Sequence, residues 1–153
     1  MPDLTSAPIP PVTDSDHVRG DVRDPELLVM YADFTCPRCA AKALAMRDHD
    51  EPVVFRHFAL RTRHPRGVAL AHAAEAAALQ GAFWPFHDSL FADQGHVDDP
   101  HLWARCERLG LDVGRFEADR HCAAVAERVS SQLREGLRAG VTGTPALLRP
   151  TVD

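Results

Sequence analysis

Three observations predict an α/β fold with a parallel βαβ unit at its front and an all-helical insertion behind it. Two largely apolar runs, 27–34 and 52–58, flank a strong helix former at 40–47. Strands that are apolar along their whole length suit a parallel pair buried on both faces. From about 66 to 139 the chain shows helix caps and stops at short intervals. A short apolar run behind Thr144-Pro145, Ala146-Leu147-Leu148, then reads as a late strand.

The elements follow in order. Met1 to Arg19 holds four prolines and several aspartates and reads as a flexible lead-in, leaving 20–153 as a single domain. The lead-in has no apolar stretch of signal-peptide length, so the expected compartment is the cytoplasm, where most thiols are kept reduced. Strand one spans 27–34 and helix one 36–48, with Pro37 in a first turn where its missing N–H costs nothing. Pro52 to Phe58 forms strand two. The insertion opens with a helix from Gly67 to Gln80 that stops at Gly81, and the next begins near Trp84-Pro85. Asp98-Asp99-Pro100 caps a third helix ending at Gly110, and Asp112 caps a fourth over 113–120. The last helix, Ala123 to Ala139, stops at Gly140 and hands the chain to the proline segment.

A chain of 153 residues can bury about two thirds of its unfolded surface, enough for one core. A formal charge of −5 argues against nucleic acid as a partner. The longest apolar stretches are broken by His72 and Glu75, so no membrane span fits.

The chemistry concentrates in Cys36-Pro37-Arg38-Cys39, at the point where strand one meets helix one. Unsatisfied backbone N–H groups and the positive helix end favour a thiolate at Cys36, and Arg38 adds charge. The dipeptide Pro37-Arg38 tunes the pair. The rival reading, half of a structural zinc site, needs a second cysteine pair that Cys106 and Cys122 do not supply. Neither that nor an inert pair is removed by spacing alone.

Together with Gly143-Thr144-Pro145-Ala146 downstream, the CxxC resembles the thioredoxin superfamily. Phe55-Arg56-His57-Phe58, the alanine-rich helix and Phe83-Trp84-Pro85-Phe86-His87-Asp88 are similar to its DsbA-like branch, over about 18–149. The resemblance implies a thioredoxin-like fold whose helical insertion separates strand two from a cis-proline strand. It implies a thiol-disulfide oxidoreductase in which Cys36 is the nucleophile and Cys39 the resolving thiol. Thr144 and Pro145 would then present backbone to an extended substrate. Phe34, just before the cysteines, is a candidate substrate contact or a packing residue. The implied partners are protein or peptide thiols and disulfides and a redox recycling partner, with no metal and no cofactor beyond the dithiol. A different class stays open: a non-catalytic or redox-responsive module using the proline-loop surface. Glutathione-linked relatives that generally lack the second cysteine fit less well, because Cys39 is present.

The chain departs from the pattern twice. Relatives often carry an acidic residue six positions before the first cysteine, where this chain has Met30; either Asp33 or water substitutes, or the resolving step has no general base and is slower. The strand and closing helix expected after the proline strand are missing, which predicts a three-stranded sheet, an open edge at 146–149, a partly bare face and a homodimer. Cys106 and Cys122 read as packed thiols or a second redox pair. His57, His87 and the Phe83-Trp84-Phe86 cluster read as packing residues, and His64, His72, His96, His101 and His121 show no metal spacing.

Overall fold

The computed structural model describes residues 7–151. In chain order it contains β1 (His17–Arg19), β2 (Leu28–Ala32), α1 (Pro37–Asp48), β3 (Val53–His57), α2 (Pro65–Ala78), α3 (Phe83–Ala92), α4 (Asp99–Arg108), α5 (Val113–Arg120), α6 (Ala123–Arg138) and β4 (Ala146–Leu148). The sheet order is β1-β3-β2-β4. At its centre β2 and β3 run parallel, Leu28 opposite Val53 and Ala32 opposite His57, with α1 as the crossover. The outer strands β1 and β4 each pair antiparallel.

The period-2 alternation of β2 and β3 builds a core on each face. Met30, Ala32, Val53 and Phe55 point to the side packed by α1 to α5, where Leu70, Phe86, Leu90, Leu102 and Phe116 are buried. Val29, Tyr31 and Val54 point the other way, against Ile9, Phe58 and Val141. Each fully buried side chain of this size contributes about 1.5–3 kcal/mol relative to exposure.

Two expectations are corrected here. The lead-in over 1–19 is not a flexible tail across its described part: it contributes a fourth strand, so the sheet is not three-stranded. Residues 1–6 lie outside the described residues. Asp16 forms a two-oxygen pair with the buried Arg56 guanidinium, 3.0 Å at each oxygen. His17 Nε2 meets Glu75 Oε2 at 2.8 Å, Arg19 pairs with Asp88 at 2.7 Å, and Trp84 Nε1 donates to Val18 O at 3.2 Å. Second, the face expected to be bare is covered by Ile9 and Val12 from the N-terminal segment and by α6. A Cβ on Gly136 of α6 would stand 2.9 Å from the Phe58 ring and 3.1 Å from Tyr31, so the absence of a side chain there sets how closely α6 approaches. β4 does lie on a sheet edge, as a three-residue strand.

Candidate active site

The turn from β2 into α1 carries both cysteines of the CxxC. Cys36 is the N-cap of α1 rather than its first helical residue, and its sulfur accepts a hydrogen bond from the Cys39 amide at 3.2 Å. Cys39 lies one turn deeper and is 0% exposed, whereas Cys36 is half-buried. Both are free thiols.

Their environments separate them. Partial burial alone would raise the Cys36 thiol. Hydrogen bonds from the Cys39 and Thr144 side chains and from the Cys39 and Arg38 amides outweigh it, holding Cys36 below its ordinary value. Burial pushes Cys39 up to about 12, helped by its hydrogen bond with Cys36, although the Asp33 amide and Thr144 face it. Arg38 therefore acts on Cys36 through its backbone, while its guanidinium reaches Thr144 O at 3.5 Å.

From the far end of the chain, α6 ends at Gly140, whose φ of +88° turns the backbone into the segment 141–145. The Thr144–Pro145 peptide bond is cis. Cys36 Sγ lies 3.8 Å from Thr144 O, so residues more than one hundred positions apart in sequence meet across the site. A cavity of about 390 Å³ opens beside Cys36, its wall including Asp33, Arg38, Arg63, His64, Gly143 and Thr144. A larger one of about 530 Å³ lies between the N-terminal segment and 149–151 and contains neither cysteine.

Phe34 requires a correction. It is 1% exposed, with its ring 5.1 Å from Phe55 and 4.9 Å from Phe91, so it packs the core and is out of a substrate's reach. Asp33 sits where the site could use a carboxylate. It is 3% exposed; Oδ1 accepts from the Thr35 amide and hydroxyl, each at 2.7 Å, and Oδ2 is buried without a partner among the described residues. A Cβ at Gly67 would stand 2.6 Å from that carboxylate, so the helix α2 makes room for it by carrying glycine.

Gln94 and Arg63 are not singled out in the sequence, and His64 reads there only as lacking metal spacing. Gln94, in the loop after α3, donates to Phe34 O at 2.8 Å and Cys36 O at 3.0 Å, bracing the turn that carries Cys36. It belongs to no motif, and only the folded chain brings it there. His64 and Arg63, just ahead of α2, line the cavity. His57 and His87 are packing residues: His57 Nε2 meets Glu75 Oε2 at 2.7 Å and His87 Nδ1 meets Asp88 at 2.9 Å, and burial lowers both imidazoles. Cys106 is a buried core thiol pushed up to about 11 by burial, and Cys122 is the half-buried N-cap of α6. Among the described residues no cluster of three His, Cys, Asp or Glu could hold a metal, and no helix is long and apolar enough to cross a membrane.

Comparison with known proteins places this geometry. The chain is 40% identical over 145 residues to the Na(+)/H(+) antiporter NhaA 3 of Salinispora tropica, a match covering 90% of this chain and 22% of that protein. It spans between 22% and 24% of the length of the curated relatives it matches. Its fold is similar to a thioredoxin-like oxidoreductase from Silicibacter pomeroyi DSS-3, with a TM-score of 0.69 and 22% identity, covering 92% of this chain and 87% of that one. BdbD from Bacillus subtilis gives a TM-score of 0.73 at 18% identity, covering 93% and 85% of the two chains. The profile of the DSBA-like thioredoxin domain matches residues 52–149, and with it the chain belongs to the family of DSBA-like thioredoxin domains.

Proposed function

We propose that the chain is a thiol-disulfide oxidoreductase that exchanges disulfides with protein or peptide substrates through Cys36 and Cys39. The observation that carries the reading is the asymmetric placement of the two thiols: Cys36 is the half-buried N-cap whose sulfur accepts from the Cys39 amide and lies 3.8 Å from the Thr144 carbonyl, while Cys39 is 0% exposed one turn deeper, and the two environments shift the thiols in opposite directions. A metal site or an inert pair has no use for such a division.

In the reducing direction the Cys36 thiolate attacks one sulfur of a substrate disulfide. A Cys36–substrate S–S bond forms, the substrate S–S bond breaks, and the leaving thiolate takes a proton from water. Cys39 then loses its proton and attacks the Cys36 sulfur. The Cys36–Cys39 disulfide forms and the second substrate thiolate leaves. Two electrons pass to the substrate, and a dithiol reductant returns the enzyme to its starting state. Oxidation of a substrate dithiol is the same sequence reversed. Thr144 and Pro145 position the substrate, and the buried Asp33 stands where Met30 offers no carboxylate for the proton that Cys39 gives up. No cofactor beyond the dithiol is needed.

Insulin reduction with dithiothreitol tests this. Cys36→Ser abolishes turnover, and Cys39→Ser accumulates a mixed disulfide with substrate that mass spectrometry detects. Wild-type protein without turnover, and no adduct on Cys39→Ser, overturn the proposal.

The match to antiporters favours a second reading, a redox-responsive module within a longer membrane transporter. Such a module keeps an oxidisable pair but does not turn over, so the same assay separates the two.

A further inference from the structure

We propose that the cavity beside Cys36 selects peptide disulfides flanked by carboxylates. The inference rests on the function proposed above and names the substrate class of that same site.

The chain as a whole is acidic, with a formal charge of −5, yet this cavity presents cations. Arg38, Arg63 and His64 line it, all three exposed, and Asp33 is the one carboxylate in its wall. Among the described residues no ion pair joins that carboxylate to them: Asp33 is 3% exposed and its Oδ1 accepts from Thr35. Among the described residues Arg19, Arg23, Arg47, Arg56, Arg66, Arg115, Arg120, Arg128 and Arg134 each meet a carboxylate within 4.0 Å, whereas Arg61, Arg105, Arg108, Arg138 and Arg149 do not. Among the described residues Arg38 and Arg63 meet none. Arg38 reaches only the Thr144 carbonyl, and the Arg63 side chain makes no hydrogen bond at all.

Backbone donors open onto the same space. The amides of Thr142, Gly143 and Thr144 bond to nothing among the described residues, and all three residues line the cavity. An extended peptide can pair with this segment as an added strand, which sets its disulfide near Cys36 Sγ. An acidic side chain beside that disulfide then falls between guanidinium groups whose planar donors fit a carboxylate. The volume, about 390 Å³, lies within the range of about 300–1,000 Å³ typical of small-ligand sites and holds a short segment rather than a folded surface.

The effect has a bounded size. Exposed ion pairs change an equilibrium by no more than about fivefold each, so two cations give a preference of about three- to tenfold for an acidic over a neutral neighbour. The preference is screened by salt, because these side chains stand in water.

Two peptides that differ only in Glu or Gln on either side of a mixed disulfide decide the matter. The rate of exchange with the reduced protein is divided by the rate of the same peptide with free cysteine, since a carboxylate slows attack by any thiolate. The expected ratio favours the Glu peptide by about three- to tenfold at low salt, falls toward one at 0.5 M NaCl, and falls by about two- to threefold in Arg63→Gln, where Arg38 alone remains, with circular dichroism confirming that the variant is folded. A ratio of one in wild type, a preference for the Gln peptide, or a preference undiminished in Arg63→Gln overturns the inference while exchange itself stands. If neither peptide exchanges, the oxidoreductase reading fails and the substrate class fails with it.

Discussion

The two cysteines should differ in reactivity toward a small disulfide, and the structure sets the size of the difference. Cys39 titrates at about 12 and Cys36 below its ordinary 9.0. At pH 7 the thiolate fraction of Cys36 therefore exceeds that of Cys39 by about a thousandfold or more. Nucleophilicity works against this, because a less basic thiolate attacks more slowly. With a Brønsted coefficient of about 0.4–0.5, a gap of about three pKa units takes back between about 15- and 30-fold. About 30- to 60-fold remains from ionisation alone, and burial of Cys39 at 0% exposure adds to it. Cys39→Ser leaves Cys36 to react and Cys36→Ser leaves Cys39. Each is mixed with 4,4′-dithiodipyridine at pH 7 and followed by the absorbance of the released thiopyridone. Cys36→Ser alters the hydrogen bond and charge that Cys36 sets against Cys39, but burial, the larger cause, stays. Cys106 and Cys122 supply a background present in both variants, read from the doubly substituted protein. Rates within threefold of each other would falsify the placement of Cys36 as the more readily ionised N-cap and Cys39 as the desolvated partner.

Two predictions concern the fold that carries the site. Gly136→Ala places a methyl 2.9 Å from the buried Phe58 ring, so overpacking of about 1–3 kcal/mol exceeds the gain of up to about 1 kcal/mol from removing a mid-helix glycine; an unchanged or higher urea midpoint contradicts the α6 packing. Stability should also fall with acid: His57 and His87 are held neutral by burial below their ordinary 6.5, so below that pH the unfolded chain binds more protons than the folded one. Each then costs up to about 1.4 kcal/mol per pH unit. Burial would raise Glu75, but hydrogen bonds from His17 and His57 hold it well below its ordinary 4.5, so its contribution is present above that value and lost below it, in the same direction. Denaturant titrations that give equal stability at pH 8 and pH 5 refute the buried network.

How much of this was legible follows from where each signal lies. β2 and β3 could be read because a parallel pair buried on both faces is mostly apolar, and α4 and α5 because Asp98 and Asp112 do cap them, accepting from His101 N at 3.1 Å and Arg115 N at 2.8 Å. β1 could not. His17-Val18-Arg19 offers one apolar residue, and what fixes it are contacts with Glu75, Trp84 and Asp88, 58 to 69 positions away. Phe34 looked accessible because it adjoins the cysteines in sequence. It continues the alternation of β2, however, and the same period that buries Met30 and Ala32 carries it into the helical side of the core. Gln94 was invisible for the opposite reason: a polar loop residue acquires a role only when the chain folds it against two carbonyls.

The proposed mechanism raises a difficulty that the geometry also answers. A resolving thiol at about 12 is almost wholly protonated at neutral pH, which taken alone predicts a stalled mixed disulfide. Three influences hold Cys39 there: burial, its hydrogen bond with Cys36, and the charge of the neighbouring Cys36 thiolate. Only the first belongs to the fold. The other two require an anionic Cys36, and they vanish once Cys36 is bonded to a substrate sulfur. The Asp33 amide and Thr144, which favour the ionised form of Cys39, remain. Attack by Cys36 thus favours ionisation of Cys39 at the step that consumes it. The one-turn offset between an N-cap and its N3 residue is enough to order the two events: the amide of Cys39 stabilises the first thiolate, and loss of that thiolate's charge releases the second.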